Sequence, residues 1–347
     1  MMNNTFSTQN DPFEAPLLPP SADPAAAKRE FSRIGLAYAL LTLSVQLLAI
    51  GATYLFYALA PAAVTSRWWT WVVSIVPLYG MALPLMWLIL RKIPAAPHNT
   101  DYFRRGATQE KPAFGLGHWL MLLVIAFGCM TAGSLVGSLI MSILSEIMDY
   151  DYADALSGAV ENSPVWMTFI ATCICAPLGE ELLFRKLLID RTRRYGDLPS
   201  ILLSGLLFGL FHGNLFQFFY AAMVGMLLAY IYTRTGRYWW CVAMHAVINF
   251  MGSIVTPALS GLLPEDLITF EHMYQPFVYM FLMIWTYGML LAGIVLFCVL
   301  FSRRKLSRGT DPLYRENAAS ILFGNLGMIA ALVCMGLVMA VNLWPMG

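Results

Sequence analysis

Residues 166–189 read WMTFIATCICAPLGEELLFRKLLI. The stretch is apolar and long enough to cross a hydrocarbon core, which needs about 20 helical residues. Yet it carries Glu180 and Glu181 side by side, with Arg185 four residues further on. An ionisable side chain near the bilayer centre costs roughly 2.5–3.5 kcal/mol on insertion scales, so such residues face a protein interior or a wet cavity. The stretch therefore says that membrane helices build the chain, and that polar partners for the glutamates come from elsewhere in it.

The rest of the sequence agrees. Of 347 residues, 59% are hydrophobic and 12% charged, against about 45–50% and 25% in soluble domains. Further apolar runs lie at about 34–59, 68–90, 119–147, 198–212, 215–233, 238–256, 274–301 and 319–344. The expected fold is all-α: a polytopic membrane helix bundle of about eight or nine transmembrane segments, one of them short and broken. Residues 1–30, rich in Asn, Ser, Pro and Ala and without a signal-peptide core, are expected to form a disordered cytosolic tail. Residues 31–150 then hold N-terminal transmembrane helices, 160–256 a core, and 257–347 C-terminal transmembrane helices. A net charge of +1 without a basic stripe excludes nucleic acid as a partner and leaves the lipid bilayer. All six cysteines fall inside apolar runs and read as buried thiols rather than a disulfide framework.

Loop charges orient the runs. Lys28, Arg29 and Arg33 precede the first; Arg91, Lys92, Arg104, Arg105 and Lys111 follow the second. Lys186, Arg191, Arg193 and Arg194 end the fourth, Arg234 and Arg237 follow the sixth, and Arg303, Arg304, Lys305 and Arg308 follow the eighth. Basic ends are cytosolic, so a cytosolic N-terminus and an external C-terminus are expected. Acidic residues such as Asp149, Asp151, Asp154 and Glu161 occupy the opposite side.

The run from Leu198 to His212 rises only about 22 Å, too short for a core of about 30 Å. It is expected to stop at depth, with a non-helical turn at His212-Gly213-Asn214 lining a cavity or buried in protein. Counting from the basic ends at 1.5 Å per residue puts Glu180, His212 and His245 roughly 16, 21 and 12 Å deep, an overlapping layer. Glu181 and Arg185 share a helix face and can pair. Glu180 points about 100° away. Phe208 and His212 share a face, as do His245 and Asn249, so His245 and Asn249 can act on one ligand atom. Pro177 and Gly179 are expected to kink the helix above the glutamates.

These residues spell Glu180-Glu181-Leu-Leu-Phe-Arg185, Phe208-Gly-Leu-Phe-His212 and His245-Ala-Val-Ile-Asn249. The ordered set EExxxR, FxxxH, HxxxN resembles the CAAX-processing and bacteriocin-processing (CPBP, or ABI) family of glutamate-type membrane endopeptidases, which includes the type II CAAX prenyl proteases. The resemblance covers about residues 160–256. It implies intramembrane hydrolysis of a peptide bond in a membrane-associated protein or peptide, with or without a lipid anchor. It also implies that Glu180 activates a water that His212 helps to hold, and that His245 and Asn249 stabilise the oxyanion. Glu181 with Arg185 then orients the helix and tunes Glu180, and Phe208 supports the site. No cofactor and no metal are implied, and no Gly-x-Ser-x-Gly, His-Glu-x-x-His or phosphate-binding glycine loop is present.

Two other readings of the same cluster stay open at this level. Glu180, His212 and His245 are residue types that bind a divalent metal, which would make a metal-dependent membrane hydrolase. A scaffold, immunity factor or transporter would use the polar cavity without proteolysis.

Overall fold

Each apolar run forms a helix, because inside a bilayer only a helix satisfies every backbone group within one segment. The computed structural model describes residues 22–96, 114–152, 155–264, 272–301, 306–313 and 315–344. We label the main helices α1 (Pro24–Leu59), α2 (Trp69–Leu90), α3 (Leu116–Met148), α4 (Val165–Tyr195), α5 (Asp197–Phe211), α6 (Leu215–Thr235), α7 (Tyr238–Ser260), α8 (Gln275–Phe301), α9 (Arg315–Leu322) and α10 (Leu326–Asn342). Among the described residues, seven of these are long and apolar enough to cross a membrane, and α9 with α10, bent by 63°, makes an eighth span if taken as one. The chain is a polytopic, all-helical membrane bundle.

Two expectations need correction. The expected tail runs to residue 30, but α1 begins at Pro24, where Asp23 accepts a hydrogen bond from the Ala25 N–H and proline occupies the first turn. A capping aspartate followed by proline is a helix-start signal that outweighs a polar, alanine-rich composition. Residues 1–21 lie outside the described residues, as do the loop charges at Arg104, Arg105, Lys111, Asp154, Arg303, Arg304 and Lys305. The second correction concerns the thiols. The six cysteines form no disulfide and Cys173 and Cys241 are buried as expected, but Cys298 is exposed on α8.

The basic helix ends share one face of the bundle. Ala96 N–H donates to Asp190 O at 2.6 Å, Asp197 N–H to Ser307 O at 3.0 Å, and Arg193 to Thr233 O at 3.4 Å, while Arg194 pairs with Glu30. On the opposite face Trp71 donates to Ser163 and Tyr152 to Leu343 O.

The helices outside 160–256 pack on this core in two groups: α3 on α6 with α8 against α3, and α1, α2 and α10 around Leu183, Phe184, Leu207 and Phe208. α1 runs between α10 and α2, and its Tyr38 hydroxyl donates to Leu183 O of α4 at 2.9 Å. The α1–α10 crossing is so close that a Cβ on Gly327 would lie 1.7 Å from Ser32 O. Gly327→Ala is therefore expected to push the helices apart at a cost of about 1–3 kcal/mol or more, read as a lower melting temperature of the purified protein. Gly336, on the same helix with nothing near its Cβ position, is the control whose alanine variant keeps the native value.

Candidate active site

The fourth span is not a uniform α-helix. Phe169–Cys175 and Leu182–Leu187 are wound in the wider π pattern, and Ala176–Glu181 between them is α-helical. Instead of breaking at Pro177, the helix continues through it. The proline stands in the first turn of the α-helical piece, where its missing N–H is best tolerated. π turns inside helices leave carbonyls without their usual partner and are frequent at functional sites. Here neighbouring helices donate to carbonyls of the π stretches, Asn249 to Thr172 O at 2.7 Å, Tyr79 to Cys175 O, Tyr38 to Leu183 O at 2.9 Å and Ser204 to Phe184 O at 2.8 Å, and Tyr238 adds a bond at 2.6 Å to Leu178 O in the α-helical piece between them. The segment bearing the glutamates is thus clamped by donors from several helices.

Glu181 and Arg185 are both fully buried, with Oε2 and Nε 2.9 Å apart. The contact is an ion pair without hydrogen-bond alignment, since neither atom makes a hydrogen bond there. Arg185 also donates to Ser204 Oγ at 3.2 Å and lays its guanidinium over the Phe208 ring, 4.7 Å from the centroid. The face shared by Glu181 and Arg185, read from their spacing, is realised despite the π winding.

The other carboxylate oxygen of Glu181 lies 2.9 Å from His245 Nδ1. That bond fixes the imidazole and leaves Nε2 facing Glu180, whose Oε2 is 3.8 Å away, too far for a direct hydrogen bond. Glu180 Oε2 is buried and has no hydrogen-bond partner among the described residues. His212 ends α5 with Nδ1 2.8 Å from Phe208 O, so its Nε2 is the nitrogen left over. Phe208 meets both histidine rings edge to face, at centroid distances of 4.9 Å to His212 and 5.7 Å to His245.

His212 owes its place to the expected turn. Gly213 is buried with φ +67°, a conformation that favours glycine, and its carbonyl accepts from Asn342 at 2.8 Å. Asn214 then caps α6 by accepting from the Gln217 N–H at 2.9 Å. The short α5 is thereby closed off by protein groups, as a backbone turn at depth requires.

Glu180, Phe208, His212, His245 and Asn249 line one cavity of about 380 Å³, together with Tyr79, Gln217 and Thr172. α1 and α2 contribute Thr42, Gln46, Trp71 and Ser74 to its wall. Glu181 and Arg185 stand behind it. Among the described residues no three His, Cys, Asp or Glu side chains come together as a metal-binding group, so Glu180, His212 and His245 share a cavity without forming a ligand set. Motif reading missed Tyr38, Tyr79, Tyr238 and Ser204. The available signal was a tyrosine hydroxyl within or beside an apolar run, which needs a partner when buried.

In Bacillus subtilis (strain 168), a protein named "Putative membrane peptidase YdiL" is 25% identical to this chain over 170 residues. The match covers 48% of this chain and 64% of that protein, so this chain spans less than two thirds of its relative's length. No solved structure gives a significant match. Residues 162–251, which hold all three motifs and the two π stretches, match the family described as "Type II CAAX prenyl endopeptidase Rce1-like", the family that those motifs resemble.

Proposed function

We propose that this chain is an intramembrane endopeptidase that hydrolyses a peptide bond of a membrane-associated protein or peptide, prenylated or not, by water attack and without a covalent intermediate. The observation that carries the proposal is the convergence of Glu180, His212, His245 and Asn249 on one cavity inside a membrane bundle. Glu180, with a free buried carboxylate oxygen, takes the proton from the attacking water and returns it to the amide nitrogen as the C–N bond breaks. His212 Nε2, left bare when Nδ1–H is given to Phe208 O, holds that water in place. His245, its ring set by Glu181, presents Nε2 as a donor to the oxyanion, and Asn249 donates beside it. General-base activation is worth about 10²–10⁴ in rate, and one oxyanion donor about 10²–10³. Glu181 neutralises Arg185 and aligns His245; it does not meet the substrate.

The test needs no assumed substrate. Protein termini are surveyed in membranes from cells expressing the wild type or Glu180→Gln at matched levels. Termini that arise only with the wild type identify the activity and the bond. Identical termini, with both proteins folded and abundant, overturn the peptidase reading in favour of a scaffold or transporter. The orientation that accompanies this reading, with the Arg194 end of α4 in the cytosol, is checked by an accessibility tag inserted between α8 and α9. Labelling from outside intact cells would reverse it.

A further inference from the structure

The oxyanion donor Asn249 is tied to an oddity of the opposite helix. At the end of the first π stretch the backbone bonds reach back five residues: Ala176 N–H goes to Ala171 O. The next carbonyl in that register, Thr172 O, is due a hydrogen from residue 177. That residue is Pro177, which has none. The missing hydrogen comes from α7, where Asn249 Nδ2 donates to Thr172 O at 2.7 Å. An unsatisfied carbonyl within a bilayer is costly, so the pairing holds both partners. It also sets the amide: the two N–H groups of an asparagine lie in one plane, and anchoring one fixes the direction of the other beside the cavity that Asn249 lines.

We infer that Pro177 is a positioning residue: by withholding a backbone N–H it keeps Thr172 O open to Asn249, and thereby holds the amide in the orientation that serves the substrate oxyanion. The catalytic half of this inference rests on the peptidase reading; the structural half does not. The substitution Pro177→Ala supplies the N–H that competes for Thr172 O and releases the amide. The helix gains a bond, so the protein is no less stable, while the donor loses its place.

A double-mutant cycle tests this with two separate readouts. In the first, apparent Tm is measured for purified wild type, Pro177→Ala, Asn249→Ala and the double variant. Asn249→Ala is expected to lower Tm by about 2–4 °C in the wild-type background, because it orphans Thr172 O. In the Pro177→Ala background it should change Tm little, since the new backbone N–H at position 177 has taken over. Equal losses in both backgrounds overturn the inference. If Asn249→Ala does not accumulate, accumulation of the double variant is the readout, with rescue supporting the pairing and no rescue overturning it.

The second readout is turnover of an internally quenched peptide carrying a farnesylated cysteine. Pro177→Ala should lower kcat by roughly 10- to 100-fold, the scale of a misplaced catalytic group, with KM unchanged. The same substitution should have no further effect on kcat once Asn249 is alanine. Multiplicative losses would mean that Pro177 acts through another group, such as the rotation of Glu180, and would overturn the catalytic half. A wild type that leaves this peptide intact counts against the catalytic half and against cleavage of farnesylated peptides, while the Tm cycle still decides the pairing.

Discussion

Replacing Glu180 with glutamine is expected to lower kcat by about 10²–10⁴-fold, with KM nearly unchanged and the apparent Tm unchanged or slightly raised. The amide keeps the size and shape of the carboxyl but cannot take a proton from water. Binding of the peptide should be spared, because in the proposed mechanism the carboxylate acts on the water and an interaction used only in the transition state appears in kcat. Stability is spared because Glu180 stands outside the ion pair: Arg185 is neutralised by Glu181, and Glu180 Oε2 makes no hydrogen bond that the substitution would break. Turnover of the quenched farnesylated peptide and thermal unfolding of the same preparations measure both. Turnover retained within about tenfold would remove Glu180 from the role of base.

Arg185→Met should act in the opposite way, through folding. Its guanidinium is fully buried against Glu181, Ser204 and the face of Phe208, and removing one partner of a buried pair costs about 3–5 kcal/mol because the other charge is left alone. Glu181 would be stranded inside a membrane helix, and the His245 ring that it holds would lose its reference. Loss of protein from the membrane, or a sharply lowered melting temperature, is the expected result. Arg185→Lys should fall between, since an ammonium keeps the charge but not the planar fork or the stacking on Phe208. The combination of Glu181→Gln with Arg185→Met removes both charges and should recover part of the stability. A stable Arg185→Met protein, at wild-type abundance, would show that Glu181 finds another partner.

Much of the fold is legible in the chain because the bilayer makes local sequence decisive. A spanning run must satisfy its own backbone hydrogen bonds, so length and apolarity suffice to place α2, α3, α6, α7 and α8, and the brevity of α5 follows from its own 15 residues. α1 is the instructive exception: its first turn lies on the polar side of the boundary, where Asp23 and Pro24 decide and hydropathy does not. The π stretches of α4 have no such local signature. Asn249, Tyr79, Tyr38 and Ser204 donate to carbonyls within them and Tyr238 to Leu178 O in the piece between, and those donors lie 20 to 145 residues away in sequence, beyond the reach of any helical period.

The same division runs through the site. Intramembrane charge is expensive, so the positions of Glu180, Glu181, Arg185, His212, His245 and Asn249 inside apolar runs, and their helical spacing, mark them as candidates and pair Glu181 with Arg185. Which atom faces which was decided only by the packing of helices distant in sequence. That packing gives His245 to Glu181 through Nδ1 and turns its other nitrogen toward Glu180, it anchors Asn249 on Thr172, and it builds one wall of the cavity from α1 and α2. Spacing along one helix sets phase, whereas hydrogen bonds and ion pairs between helices depend on their rotation and separation, which no single segment encodes.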